Sequence, residues 1–225
     1  LPASLGQMSA LTLLYIKGCG QLGSLPVSTG DLSALQLLHI EDCDSLSSIP
    51  ATLGRLSALT MLSLAGCSSL ACLPEFVKHP DHGAPLPALQ QLLLGGCSQL
   101  ARLPESLCQL PSLMLLHMSH CDSLVHLVDF MGSMTALNKL NLSFCISLEK
   151  LPRQMPPNLQ EVDLSYCSNM SQLAEQLVEL VAQVPDMSVL LQGWDALMPQ
   201  QHQHGTQQQQ QQQQCERQQQ QQQQH

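Results

Sequence analysis

The sequence contains few aromatic residues and few charged ones. Only 3% of its 225 residues are aromatic and 11% are charged, whereas 44% are hydrophobic. With little Phe or Trp to anchor a compact core, the interior must be built mainly of leucine. This composition favours a narrow, layered interior.

Basic residues are also scarce, and they are not clustered. The chain has 8 Lys and Arg against 17 Asp and Glu, a formal net charge of −9. Nucleic acids and anionic membranes are bound through concentrated Lys and Arg, so we expect neither as a partner. No apolar run approaches the roughly 18 residues of a membrane span. The chain starts at Leu1 within a repeat, without an initiator Met or a signal segment, so we expect a fragment of a longer protein.

The sequence does contain one motif that recurs, L-x-x-L-x-L-x-x-C-x-x-L-x-x-L-P. It first occurs from Leu11 to Pro26, and its L-x-x-L-x-L-x-x-C part occurs in seven copies. Self-similarity at a period of 20 to 50 residues is typical of stacked repeats, and this skeleton matches a leucine-rich repeat. The predicted fold is an α/β leucine-rich-repeat solenoid. We expect a curved horseshoe with one short parallel strand per repeat and an irregular, 3₁₀ or short helical segment on its convex side.

The chain divides into repeats, a cap and a tail. The repeats are predicted at 1–24, 25–48, 49–72, 73–102, 103–126, 127–150 and 151–172, the fourth enlarged by a Pro- and Gly-containing insertion. Apolar residues at helical spacing predict a C-terminal helical cap over 173–198. Residues 199–225 are a Gln- and His-rich tail that we expect to be disordered. Its glutamine runs either mediate self-association or are a tolerated expansion.

Glycine recurs in the return segment of the repeats. We interpret these glycines as bends that need backbone freedom. They are Gly6, Gly30, Gly54 and Gly132, with Cys108 in the same slot of the fifth repeat.

Seven of the ten cysteines occupy one slot of the repeat. Side chains in one slot of a parallel stack point the same way, which is poor geometry for disulfides. We therefore expect buried, unreactive free thiols and a reducing, cytoplasmic compartment. Cys72, Cys108 and Cys215 lie outside the slot and are the more reactive candidates. The slot residues are Cys19, Cys43, Cys67, Cys97, Cys121, Cys145 and Cys167.

Alternation within each strand predicts three columns of outward side chains on the concave face. The first is Leu13, Leu37, Met61, Gln91, Leu115, Lys139 and Glu161. The second is Tyr15, His39, Ser63, Leu93, His117, Asn141 and Asp163. The third is Lys17, Glu41, Ala65, Gly95, Ser119, Ser143 and Ser165.

Apolar residues dominate the first column through the fifth repeat. Contiguous exposed apolar surface marks a protein contact, so we predict partner binding on the first two columns. The alternative is that surface leucine is ordinary and here only supports β structure.

No cofactor, metal or catalytic group is predicted. His117, His120 and Cys121 are ligand types, but His117 should point outward and Cys121 inward. His79, Asp81 and His82 in the insertion are read more simply as a polar loop. Serine recurs at fixed positions of the repeat and is not grouped with His and Asp, so no catalytic Ser–His–Asp triad is indicated.

The fuller motif L-P-x-S-L-G-x-L-x-x-L-x-x-L-x-L-x-x-C-x-x-L, over residues 1 to about 172, resembles a known family. It is similar to the plant-type repeats of intracellular nucleotide-binding disease-resistance proteins. The resemblance implies a non-catalytic scaffold that binds a protein partner on its concave face, in defence or signalling.

Two alternatives stay open. The chain can be the regulatory arm of a larger ATPase or kinase. The catalytic domain would then lie outside this sequence, which has no G-x-x-x-x-G-K-[ST] loop or kinase signature. It can also be a structural scaffold in a cytoskeletal assembly.

Overall fold

The structure is a computed structural model that describes residues 1–77, 83–184 and 187–193. Residues Leu1–Gln192 form one compact unit, and of the second unit, Gly193–His225, only Gly193 is described. The candidate ligands His79, Asp81 and His82, the end of the predicted cap from residue 194 and the glutamine-rich tail lie outside the described residues.

Within the described ranges, eight short strands form a single parallel sheet in which the spatial order follows the sequence order. Each strand pairs only with the strands of the preceding and following repeats. The strands are β1 (Leu13–Lys17), β2 (Leu37–Glu41), β3 (Met61–Ser63), β4 (Gln91–Leu93), β5 (Leu115–His117), β6 (Lys139–Asn141), β7 (Glu161–Asp163) and β8 (Ser188–Leu190).

The register is set by the repeat. Leu13 pairs with Leu37, Leu37 with Met61, and Met61 with Gln91 across the longer fourth repeat. Inward leucines of the strands, such as Leu38 and Leu62, are fully buried and stack along the core. This arrangement confirms the predicted fold: the chain is a leucine-rich-repeat solenoid.

The side of each repeat opposite the sheet carries 3₁₀ helices in five repeats, as predicted. Proline is the N-cap of four of them, where its fixed φ suits an extended entry and its missing N–H costs no hydrogen bond. The fourth and seventh repeats carry no 3₁₀ helix in their described residues. The helices are Ala3–Gln7, Val27–Asp31, Ala51–Arg55, Glu105–Gln109 and Asp129–Ser133.

The glycines of this segment serve close packing between repeats and not a special backbone conformation. None of Gly6, Gly30 and Gly54 has a positive φ. A Cβ on Gly30 would lie 2.3 Å from the carbonyl oxygen of Thr52 in the next repeat. The interpretation as a bend needing backbone freedom is therefore wrong, because these positions require the absence of a side chain.

Positive φ occurs instead in the turn after each of the first seven strands, at the residue just before the slot cysteine. Each of these residues donates its backbone N–H to a carbonyl of the next repeat, as Gly66 does to Gly95 at 2.8 Å. The left-handed column is Gly18, Asp42, Gly66, Gly96, His120, Phe144 and Tyr166.

The C-terminal segment is partly helical and partly strand. The predicted helix is α1 (Met170–Val181), which begins three residues before the predicted start and buries Leu173, Leu177 and Leu180. The predicted helical cap extends to residue 198, but the segment after α1 contains β8, which pairs with β7. The sheet therefore extends one strand beyond the seven predicted repeats.

Candidate functional site

The open face of the sheet, defined here by the outward side chains of the strands, holds the predicted site residues. Strand pairing places the first column side by side, from Leu13 to Glu161, and continues it at Ser188. Leu13 is 50% exposed, and Leu37, Met61 and Leu115 are partly exposed. The apolar residues of this column therefore line part of the surface, separated by Gln91 between β3 and β5.

Four side chains converge on the carboxylate of Glu41, in the third column. The Nδ1 of His39 lies 3.3 Å from Oε1, and the hydroxyl of Ser63 donates to the same oxygen at 3.0 Å. The hydroxyl of Tyr15 donates to Oε2 at 3.5 Å, and the Nζ of Lys17 lies 3.8 Å from it. This Glu41 cluster ties together the first three repeats on the open face.

The electrostatics of the Glu41 cluster favour the charged carboxylate. Partial burial acts to raise the pKa of Glu41, but hydrogen bonds from His39 and Ser63 outweigh it and hold the pKa below its usual value. A hydrogen bond with Asp42 is the main cause that raises the pKa of Lys17. The cluster therefore presents fixed charges and hydrogen bonds at neutral pH.

The Glu41 cluster is not arranged for nucleophilic catalysis. A serine nucleophile needs a hydrogen bond to its histidine base, whereas Ser63 and His39 both contact the same carboxylate oxygen. Ser63 is also 0% exposed. The outward exposure expected of Ser63 is therefore not found, because its side chain is covered and bonds to Glu41.

The open face is more polar in its C-terminal half. Asn141 donates to the carboxylate of Asp163 at 3.2 Å, and its Oδ1 accepts from the backbone N–H and hydroxyl of Ser143. In the first column Lys139 and Glu161 form an ion pair at 3.3 Å. The structure therefore brings these four predicted residues together as a hydrogen-bonded border beyond the apolar positions.

His117 stands between the two halves. Its Nε2 lies 2.7 Å from the hydroxyl of Ser119, and burial lowers the pKa of its imidazole against the raising effect of Asp163. Cys121 lies in the core and donates to the carbonyl of Leu94. His117 and Cys121 thus belong to opposite sides of the sheet. Over the described ranges no three His, Cys, Asp or Glu side chains are grouped for a metal ion.

Six slot cysteines form a ladder of buried thiols. From Cys67 onward each Sγ lies 3.1–3.4 Å from a backbone carbonyl of the preceding repeat, as Cys67 does with Ile40. Burial raises the pKa of Cys67 to about 11 and that of Cys97 to about 12. These thiols stay protonated at neutral pH, which supports their structural role.

Two cysteines differ from their predicted states. Cys19 is exposed, because the described chain has no repeat before the first one to cover its slot. Cys108 was predicted to be reactive, but it is half-buried and burial raises its pKa to about 11. Cys72 is exposed as expected, whereas Cys215 lies outside the described residues.

A stack of three exposed rings was not predicted from the sequence. The rings of His120 and Phe144 have centroids 4.4 Å apart and planes within 9°, and those of Phe144 and Tyr166 are 4.6 Å apart within 17°. This aromatic ladder occupies the left-handed column, beside the open face. A sequence signal existed, since the position before the slot cysteine is Gly or Asp in the first four repeats and a ring in the next three.

No helix in the part of the chain that the structure describes is long and apolar enough to cross a bilayer. No protein-family model matches the chain, and no curated protein matches it.

Solved structures with leucine-rich repeats are similar to it. The leucine-rich repeat domain of the type III effector XopL is 20% identical, with a TM-score of 0.43, over 84% of this chain and 79% of that one. The ectodomain of the receptor kinase GASSHO1/SCHENGEN3 from Arabidopsis thaliana, in complex with CASPARIAN STRIP INTEGRITY FACTOR 2, is 16% identical with a TM-score of 0.27. That match covers 85% of this chain but only 36% of the receptor chain. A leucine-rich repeat protein of Leptospira interrogans is 16% identical, with a TM-score of 0.22, over 84% of this chain and 80% of its own.

Proposed function

We propose that this chain is a non-catalytic recognition module that binds a protein partner on the open face of its sheet. We place it in signalling or defence, in a reducing compartment such as the cytoplasm. The observation that carries the proposal is the apolar first column, where Leu13, Leu37 and Met61 lie in register on adjacent strands and remain accessible to solvent.

These three residues form a continuous apolar strip. Adjacent strands lie about 4.8 Å apart, so the strip spans roughly 10 Å across β1 to β3. Contiguous exposed apolar surface of this kind is typical of protein contacts. Its polar surroundings, the Glu41 cluster on one side and the Asn141–Asp163 pair farther along, match the apolar centre and polar rim of an interface.

Among the residues of the open face, we expect Tyr15 to contribute most to the free energy of partner binding. It is exposed, its hydroxyl bonds to Glu41, and its ring meets that of His39 edge-on at 5.6 Å. A tyrosine held in place before binding loses little conformational entropy when it binds. Tyrosine is also enriched among the residues that dominate interface energies.

The buried thiols support the choice of compartment. Each is held as a hydrogen-bond donor inside the core, so the packing favours the reduced form. The non-catalytic assignment is supported by the geometry of Ser63 and His39, which share Glu41 without contacting each other as a nucleophile and base would.

Site-specific photo-crosslinking tests the proposal. A benzophenone amino acid at position 37 should crosslink to a discrete protein partner in cells, because this position lies at the centre of the strip. The matched control is position 27, where Val27 is exposed on the opposite side of the repeat. Equal crosslinking to the same protein from both positions would contradict the assignment of the open face.

A further inference from the structure

The rings of the aromatic ladder, His120, Phe144 and Tyr166, lie outside the buried core. His120 is exposed, Phe144 is 37% exposed and Tyr166 is 44% exposed. All three rings therefore lie at the surface, where apolar atoms gain little from burial.

The ladder also uses unfavourable backbone positions. The φ angles of His120, Phe144 and Tyr166 are 56°, 59° and 60°, values that bulky L-residues rarely adopt. The same column carries glycine at Gly18, Gly66 and Gly96, where the conformation has no steric cost. Stacking offsets part of this strain, but glycine would avoid it entirely. Exposed rings on strained backbone indicate a surface that is used for binding.

The surroundings of the ladder are acidic and apolar. The turns that carry the three rings contain no Lys or Arg. Asp122 follows His120 by two residues and is partly exposed, and Ile146, two residues after Phe144, is 48% exposed. On the other side of His120 the column continues with Gly96, which has no side chain, and nothing from His120 lies within 4 Å of where a Cβ would be. Phe144 stacks on one face of the His120 ring, and Gly96 places no side chain against the other.

We propose that the aromatic ladder is a docking surface for an arginine side chain of a protein partner. The guanidinium stacks on the free face of His120, above Gly96, and pairs with the carboxylate of Asp122. The aliphatic part of the arginine packs against Ile146 and the edge of Phe144.

Arginine fits this surface better than other side chains. Its planar cation stacks on rings and pairs with a carboxylate at the same time, whereas the compact ammonium of lysine cannot lie flat on a ring. The net charge of −9 favours a cation and disfavours nucleotides, whose phosphates it repels. The shared chemistry of ring, carboxylate and apolar contact therefore selects a basic, planar group.

This surface is distinct from the apolar strip, and the proposal does not rest on the function assigned to the open face. The ladder belongs to the turns after β5, β6 and β7, whereas the strip lies on β1 to β3. An experiment that supports or contradicts one surface therefore does not decide whether the other binds a partner.

Nuclear magnetic resonance titration with short peptides tests the proposal. The probe is acetyl-Gly-Gly-Arg-Gly-Gly-amide, and the ring resonances of His120, Phe144 and Tyr166 are followed in the full chain at pH 8. We expect saturable shifts of these rings. The neutral citrulline peptide lacks the cation and should bind about three- to fivefold more weakly, the range expected for an exposed cation–π contact. The corresponding lysine peptide keeps the charge but cannot lie flat on a ring, and it should also bind more weakly than the arginine peptide.

Two variants locate the binding. Phe144→Gly places in the column the residue that its φ favours, so the fold is retained while the ladder is interrupted. Arginine binding should weaken, because the contact with the edge of Phe144 and the stacking partner that orients His120 are both removed. Asp122→Asn should weaken binding without moving the rings. Val27→Ser, which removes an exposed apolar side chain on the opposite side of the repeat, should leave it unchanged. The proposal is overturned if the arginine peptide causes no saturable shift, if Phe144→Gly binds it as well as the wild type, or if a tyrosine peptide binds more tightly than the arginine peptide.

Discussion

The Sγ of Cys97 lies 3.2 Å from the backbone carbonyl oxygen of Leu64, in the preceding repeat. The same carbonyl accepts the backbone N–H of Cys67, from its own repeat, at 3.2 Å. It therefore accepts two hydrogen bonds, one from its own repeat and one from the next. Equivalent bonds join Cys121 to Leu94 and Cys167 to Leu142. The slot cysteine is therefore a hydrogen-bond donor between repeats as well as an apolar filler of the core.

Stability should fall steeply in alkali because of these thiols. Burial raises the pKa of Cys97 to about 12 in the folded state, whereas an unfolded thiol titrates near 8.5. Its contribution is complete below about pH 8.5 and is lost as the pH rises towards the folded value, because only the unfolded chain releases the proton. Urea unfolding between pH 8.5 and 10.5 should show this decline, and Cys97→Ala should reduce its slope by up to about 1.4 kcal/mol per pH unit. The control Cys72→Ala removes an exposed thiol, and an unchanged slope in Cys97→Ala would contradict the prediction.

Thiol labelling should separate the cysteines into two classes. In a Cys215→Ser background, Cys19 and Cys72 should react rapidly with a disulfide reagent in the native protein, because both are exposed. The six buried slot thiols should react only after unfolding, and the half-buried Cys108 should react more slowly than Cys19 and Cys72. Simultaneous reaction of all nine in the native state would show that the thiol ladder is not buried.

Thr29 should limit the stability of the second repeat. Its hydroxyl is fully buried and has no hydrogen-bond partner among the described residues. The equivalent position is occupied by leucine in the third and fifth repeats, at Leu53 and Leu107. Thr29→Val removes the unpaired group at nearly constant volume and should raise the free energy of unfolding by about 1 kcal/mol. The matched control is Thr52→Val, where the hydroxyl donates to the carbonyl of Val27 at 2.6 Å. That change should destabilise by about 1 kcal/mol in the same urea titration, and stabilisation by both changes would count against this interpretation.

Glu41→Gln should weaken the N-terminal part of the open face. The charged carboxylate accepts from three hydroxyl or imidazole groups, so its loss should lower the free energy of unfolding by about 1 kcal/mol at pH 7. The pKa of Glu41 is held below its usual value in the folded state. Its contribution is therefore present above about pH 5 and is lost as the pH falls through the folded pKa.

The pH dependence makes the Glu41 test specific. The difference between wild type and Glu41→Gln should shrink as the pH falls below the unfolded value of about 4.3, and it should be smallest below the folded pKa, where the carboxylate is protonated in both states. Glu161→Gln is the control, since its exposed ion pair with Lys139 should contribute less than about 0.5 kcal/mol. A constant difference from pH 3 to pH 7 would show that Glu41 acts through packing and not through its charge.

The periodic features of the fold could be predicted from the sequence. Leucine and cysteine recur at fixed positions because each repeat must bury the same face against its neighbours, so the strands, the core and the outward columns followed from the spacing alone. Helix α1 could be predicted from the period of its apolar residues. Strand β8 was missed because Ser188, Val189 and Leu190 follow the helix without the leucine–cysteine motif.

Features that depend on contacts between repeats could not be predicted in this way. The spacing placed Ser63 on the outward side, but only the structure shows that Glu41 covers it. Gly30 gave the same sequence signal whether its role was a bend or a close approach to Thr52. The aromatic ladder lies in the turns and not in the strands, so the strand periodicity does not show it, although glycine and aspartate earlier in the same column predict a left-handed turn.

The central claim is that a protein partner binds the apolar residues of the first column on the open face. The direct measurement is the dissociation constant of the crosslinked partner for two triple variants, each with three added negative charges. One is Leu37→Asp, Met61→Asp and Leu115→Asp; the other is Met8→Asp, Val27→Asp and Val178→Asp, at exposed positions off the sheet. With both variants folded, the open-face variant should bind about 100-fold more weakly and the control should bind like the wild type. Wild-type affinity in the open-face variant would contradict the account.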